Sequence, residues 1–197
     1  MTDEHRSFIR GRTKLPIDTI QVFMIDPPWP KRKGGLRKVT PKQTRDLDYK
    51  TLPVPDIFTL LDQQILSRGS TEGHCVFMWT IDEFLWDAER ALEARGYKRH
   101  ARIIWNKLRG IAPAFTIRYA HEYLLWYYKP KLLKISEVER GKFSTVFEEC
   151  SREHSRKPEF GYHMLERLYP TATKMDVFTR QRRKGWLPFG DEIERFT

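Results

Sequence analysis

Short apolar runs alternate with helix-period segments along this chain, and that alternation restricts its fold more than any other feature. Apolar strands read at Ile20–Ile25, His74–Thr80, Ala101–Lys107, Glu122–Lys129 and Lys174–Arg180, the last strand expected, with a short one near Ser144–Phe147. Between them, Pro55–Leu66 places Ile57, Leu60, Leu61 and Ile65 on one helical face. Asp82 can cap a helix that turns Leu85, Ala88 and Leu92 inward and ends at Gly96. Pro158 suits the first position of a third helix, with Phe160, Met164 and Leu168 inward and Pro170 as its stop. Strands that are apolar throughout belong to an α/β sheet covered on both faces. No helix separates the strands at 101–107 and 122–129, so that pair is expected to run antiparallel within a mostly parallel sheet. The length of 197 residues, without repeat or linker, suits a single domain over residues 1–197. In such sheets ligands bind at the carboxyl ends of the strands.

Composition narrows the partners. The net charge is +10 and the pI about 9.7, which favours a polyanion such as nucleic acid. The segment Lys31–Arg45 contains no acid, and Arg180–Trp186, "RQRRKGW", is a second basic knot. No apolar run has the length of a membrane span, and "MTDEHRSFIRGR" lacks the apolar core of a secretory signal. Cys75 and Cys150 make neither a disulfide framework nor a zinc site, so no metal is expected. Reduced cysteines suit a cytoplasmic protein.

The first strand ends in Asp26-Pro27-Pro28-Trp29. Two prolines fix the backbone and remove two donors, so the carbonyls are expected to be free and rigidly aimed. Asp26 adds an acceptor and Trp29 a stacking plane. Acceptors beside an aromatic plane suit a flat ring that carries an exocyclic amine. The Asp26 carboxylate and the Pro27 carbonyl can hold both hydrogens of an adenine 6-amino group and favour the pyramidal, developing cation. On the tetrapeptide alone, a strand that stops at prolines beside a core tryptophan explains the residues equally well.

The motif does not stand alone. "YKTLP" (Tyr49–Pro53), "VFMWT" (Val76–Thr80), "RIIWNK" (Arg102–Lys107), "HEYLLW" (His121–Trp126), "REHSRKP" (Arg152–Pro158) and "KMDVFTR…GWLPFGDE" (Lys174–Glu192) follow in order. Together with Asp26–Trp29 they resemble the DPPW-type N6-adenine methyltransferases, and in particular their compact bacterial and phage DNA-modifying relatives. The resemblance covers about residues 20 to 193. It implies a Rossmann-like fold in which the catalytic motif precedes the cofactor-binding motifs. It implies S-adenosylmethionine (SAM) as cofactor, with Asp26 beside it, Lys157 on its methionine carboxylate, and Arg180, Asp191 and Glu192 near its ribose. Asp191 and Glu192 stand where Asn and Gln or Glu are common, and Asp176 stands where Glu is usual and reads as structural. His121 and Glu122 also read as structural. Lys157 gains support from the helix start beside it, whose N–H groups and dipole favour an anion.

The expected activity is methyl transfer from SAM to the 6-amino group of adenine in DNA, with the base flipped or single-stranded. Asp26, Pro27, Pro28 and Trp29 form the expected catalytic set. Lys31, Arg32, Lys33, Arg37 and Lys38, with Arg182 and Arg183 of the second knot, are the expected nucleic-acid contacts. The same chemistry on RNA is the first alternative. Others are a non-catalytic nucleic-acid-binding partner subunit and methylation of a protein glutamine or small amine. Intact Asp26 and Lys157 oppose the non-catalytic reading, and Trp29 and the basic segments favour adenine in nucleic acid. Oligomeric state is not legible.

Overall fold

The computed structural model of the chain describes residues 19–30, 51–108, 117–152 and 156–195. Its elements run β1 (Val22–Ile25), α1 (Val54–Gln64), β2 (His74–Thr80), α2 (Leu85–Ala94), β3 (Lys98–Lys107), β4 (His121–Lys129), β5 (Val146–Glu149), α3 (Glu159–Leu168), β6 (Lys174–Val177) and β7 (Trp186–Phe189). The strands form one seven-stranded sheet in the order β5-β3-β4-β2-β1-β6-β7. All neighbours are parallel except β4, which runs antiparallel to both β2 and β3. This is a Rossmann-like α/β sheet, and the antiparallel β3–β4 pair is where the missing helix placed it.

Two apolar layers cover the sheet. On one face Phe23, Ile25, Val76, Met78, Leu125 and Tyr127 pack against Ile57, Leu60 and Leu61 of α1 and Ala88 and Leu92 of α2. On the other, Val22, Met24, Phe77, Trp79, Leu124 and Trp126 pack against Tyr162, Met164, Leu165 and Leu168 of α3. The continuous apolar reading of β1 and β2 has this cause: both strands are buried on both sides along their whole length. Helix α3 approaches closely at Gly161, where an added Cβ would lie 3.1 Å from the Trp79 ring.

Three local expectations change. Asp82 does not cap α2. It opens a 3₁₀ turn, Asp82–Phe84, and the helix starts at Leu85 with no side-chain cap. The tight turn delivers Phe84 into the interior, where it meets Trp29. Pro158 is the residue before α3 rather than its first. A seventh strand, β7, lies beyond the one expected to be last. Pro188 obscured it, because proline is confined to edge strands, and β7 is an edge.

Candidate active site

Strand β1 hands Asp26 to the carboxyl end of the sheet. The Asp26 N–H still donates to the Val177 carbonyl at 3.1 Å, which extends the β1–β6 ladder by one bond before the prolines stop it. Contrary to the expectation from sequence, the proline carbonyls are not free. The Pro27 carbonyl accepts from the Trp29 N–H at 2.8 Å and the Pro28 carbonyl from the Leu52 N–H at 2.9 Å. Each keeps its second lone pair. Trp29 acts as a fastener. Its indole N–H donates to the Trp79 carbonyl at 3.0 Å, and one ring face stacks on Phe84 at 5.3 Å and 9°. The ring also meets Phe58 at 6.5 Å, tilted by 52°, and is left partly exposed.

Lys157 reaches the same place from the segment before α3. Its Nζ lies 3.0 Å from Asp26 Oδ1 and 3.1 Å from Glu122 Oε2. Lys107 Nζ holds the other oxygen of Glu122. Four charges from β1, β3, β4 and the α3 approach thus alternate in sign, with side-chain exposures of 19% for Asp26, 14% for Lys157 and 11% for Glu122. Burial and, more weakly, the neighbouring Glu122 charge push the Asp26 carboxyl above its ordinary range, against the pull of Lys157. Burial also works on Glu122, but Lys157 and Lys107 overcome it and hold that carboxyl below its usual range. Burial works against the charged form of Lys157, but Asp26 and Glu122 outweigh it and raise the ammonium above its ordinary range. The site therefore holds an ammonium that stays charged beside an acid raised above its ordinary range.

The helix start beside Lys157 is not open to an external anion, contrary to the sequence expectation. The Glu149 carboxylate, at the end of β5, accepts the N–H groups of Glu159 at 2.9 Å and Phe160 at 3.0 Å. This internal anion occupies the first turn of α3. Arg152 joins Glu149 to Glu159. Replacing Glu149 with alanine should therefore cost about 1–2 kcal/mol of stability, as loss of a helix cap does. Urea denaturation of Glu149→Ala checks this.

The far wall of the site follows β6. Phe178 adopts φ 61°, a left-handed conformation uncommon for a non-glycine residue. It turns the chain so that Thr179, Arg180 and Gln181 line a small open pocket with Asp26, Arg156, Lys157, Tyr162, Asp176 and Phe178. Gly190, after β7, backs onto this turn. A Cβ there would meet the Thr179 carbonyl oxygen at 2.6 Å, so no side chain fits without moving it. Arg180 pairs with Glu192 at 3.3 Å, and Arg195 forks onto the same carboxylate at 2.8 and 2.9 Å. Asp191 is exposed and follows Gly190.

The two arginines of the basic knot separate. Arg182 is solvent-facing and pairs with Glu194. Arg183, expected among the nucleic-acid contacts, is turned inward. It pairs with Glu159 at 2.6 Å and lies over the Tyr162 ring at 3.8 Å. Asp176 sits below. It is buried, and the Tyr162 hydroxyl donates to it at 3.1 and 3.3 Å. Burial raises its carboxyl to about 7, against the hydrogen bonds from Thr179 and Tyr162. A raised folded-state value stabilises the fold below the unfolded value of about 3.8, and that contribution is lost as pH rises through about 7. Asp176→Asn should remove this dependence, gaining stability relative to the parent at pH 8 but not at pH 4. Denaturant midpoints at the two pH values measure it.

A family model described as MT-A70 matches residues 20–192. The chain belongs to the MT-A70 family. It is 30% identical over 183 residues to an N(6)-adenosine-methyltransferase MT-A70-like protein of Arabidopsis thaliana, and 30% over 182 residues to a probable counterpart of Oryza sativa subsp. japonica. The matches cover 90% and 87% of this chain but only 24% and 23% of those proteins, so the chain spans about a quarter of the length of these plant relatives. A type II methyltransferase, M.MunI of a Mycoplasma species, is 22% identical over 91% of this chain and 80% of its own length.

Within this MT-A70 domain the structure brings Asp26, Pro27, Pro28, Trp29, Lys157 and Arg180 to one end of the sheet, with Asp191 and Glu192 on the adjoining turn. Lys31, Arg32, Lys33, Arg37 and Lys38 lie outside the described residues. The sequence reading left out Lys107 and assigned Glu122 to structure. Both carried a signal. Glu122 is in phase with Leu124 and Trp126, and Lys107 with Ile103 and Trp105, all four on the buried α3 face. Charged residues ending two buried apolar stripes on paired strands point at each other.

Proposed function

We propose that this MT-A70 chain is a SAM-dependent methyltransferase that modifies the 6-amino group of adenine in DNA. The observation that carries the reading is the contact of Asp26 with Lys157 at the end of β1, beside a pocket walled by the turn after β6. The donor set fits SAM. Lys157 offers a cation for a carboxylate, and Arg180 with Glu192 and Asp191 offers donors and acceptors for ribose hydroxyls. SAM supplies an electrophilic methyl group. Asp26 and the free lone pair of the Pro27 carbonyl accept the two amine hydrogens and stabilise positive charge on the attacking nitrogen. Trp29, partly exposed beside Asp26, would offer an aromatic surface for the extruded base. Lys157 would exchange part of its hold on Asp26 for the cofactor carboxylate, which leaves Asp26 freer to accept from the amine.

Lys31, Arg32, Lys33, Arg37 and Lys38, directly after Trp29 in the sequence, and exposed Arg182 would contact phosphates; the inward pairing of Arg183 argues against it in that role. DNA is favoured by the type II methyltransferase, the relative matched over most of its own length. RNA is the second reading, because the plant relatives' names specify adenosine, a ribonucleoside. Incubation with methyl-labelled SAM and matched DNA and RNA oligonucleotides separates them. Label in DNA is the expected result, and label in RNA alone overturns the choice of DNA.

A further inference from the structure

Trp86 stands in the first turn of α2, which follows β2 at the end of the sheet that holds Asp26. It is 65% exposed. Its one aromatic or cationic ring contact among the described residues is with Arg90, whose guanidinium carbon lies 4.3 Å from the ring centroid. A single exposed apolar residue is ordinary on a protein surface. Trp86 is set apart by its place and its companion. The 3₁₀ turn Asp82–Phe84 just before it stacks Phe84 on Trp29 at 5.3 Å. Two residues of chain separate the α-carbons of Phe84 and Trp86 by about 7 Å at most. The exposed ring is therefore attached to the turn that fastens the tryptophan of the Asp26–Trp29 motif.

Among the described residues Arg90 is in no salt bridge, and two acids of α2 are committed elsewhere. Glu89 pairs with Arg102 at 2.6 Å and with Arg99 at 3.6 Å, and Glu93 accepts from the Tyr127 hydroxyl at 3.3 Å. Arg90 is left as an outward cation on an aromatic plane. Asp87, on the same turn, disfavours a row of phosphates along the helix. The pair thus suits one base and one phosphate: the ring stacks on a base of any identity, and the guanidinium takes the adjoining phosphate. A target adenine drawn to Asp26 and Trp29 leaves the neighbouring base without one of its stacking partners. We propose that Trp86, with Arg90, is the stacking platform for the nucleotide next to the target adenine and holds the strand open while the target occupies the site. This rests on the reading of the Asp26–Lys157 site as one for adenine in nucleic acid.

The test is fluorescence anisotropy with single-stranded DNA oligonucleotides that hold one adenine in a thymine run, and RNA counterparts that hold it in a uracil run. An abasic residue is moved through the positions on either side of the adenine. For the wild-type chain, one neighbouring abasic position should weaken binding about 10-fold, the loss of one base–aromatic stack. Trp86→Ala should bind the intact strand as weakly as wild type binds that abasic strand, and should lose nothing more from the abasic residue. A general loss of structure does not erase sensitivity at one nucleotide alone. Trp86→Phe should keep most of the affinity and the same sensitive position. Arg90→Ala should flatten the log–log salt dependence of binding by about 0.7. Wild-type affinity and a wild-type abasic profile for Trp86→Ala overturn the proposal. So does a change of oligomeric state in sedimentation with the abasic profile kept, which makes the ring a protein contact. A wild-type scan with no sensitive neighbour also overturns it, and decides the matter should Trp86→Ala fail to fold. If the wild-type chain binds and methylates neither nucleic acid, the reading of the site falls, and this inference with it. If it methylates these strands while Trp86→Ala keeps the wild-type profile, only this inference falls.

Discussion

Asp26→Ala is expected to lower the rate of methyl transfer by about 10²-fold or more while leaving a folded protein. Asp26 stands at the end of the β1–β6 ladder, where its backbone bond to Val177 is independent of its side chain. The change removes one carboxylate from a cluster that keeps Glu122 as the partner of Lys157, so stability should shift little. Turnover and thermal melting on the same preparation separate the two effects. Transfer by the wild-type chain should also rise with pH, because ionised Asp26 is the stronger acceptor and alone offsets the positive charge that develops on the nitrogen, and burial raises its carboxyl above the ordinary range. A folded Asp26→Ala protein with wild-type turnover removes Asp26 from the mechanism.

Lys157→Ala is expected to damage both binding and stability. It leaves Asp26 and Glu122 as two carboxylates in one partly buried site, with Lys107 on Glu122 alone. Breaking such a pair from one side costs about 3 kcal/mol. The lower end of the usual range applies because the site opens to solvent and Lys107 stays. The Asp26 carboxyl, already raised, should take up a proton more readily without the neighbouring ammonium. SAM affinity should fall about 10-fold or more with the lost charge-assisted contact. Nucleic-acid affinity should change less. Calorimetry with SAM and a urea titration measure the two losses, and unchanged SAM affinity removes Lys157 from the cofactor site.

The sheet was legible because its central strands are buried on both faces, so β1 and β2 appear as unbroken apolar runs. The antiparallel β3–β4 pair was legible from the lack of a helix between them. Strand β7 was not, because four residues containing Pro188 carry too little pattern to separate an edge strand from a loop. The motif named Asp26 and Lys157, but nothing local to either shows that they touch. That contact depends on the β1 register and on α3 approaching Trp79 at Gly161. Glu149 escaped notice for the same reason: its bonds span ten and eleven residues, from a strand end to a helix start. Arg183 shows the reverse error. A basic cluster reads as a surface, yet Glu159 and the Tyr162 ring draw one of its members inside.

The central claim is methyl transfer to the adenine 6-amino group at the Asp26–Lys157 site. The most direct test is nucleoside analysis of an oligonucleotide treated with the wild-type chain and with Asp26→Ala, both with radiolabelled SAM. The account predicts label that co-elutes with N6-methyladenine nucleoside for wild type and is lost with Asp26→Ala. Label on another base or another adenine position, on protein, or at equal levels with Asp26→Ala would contradict it.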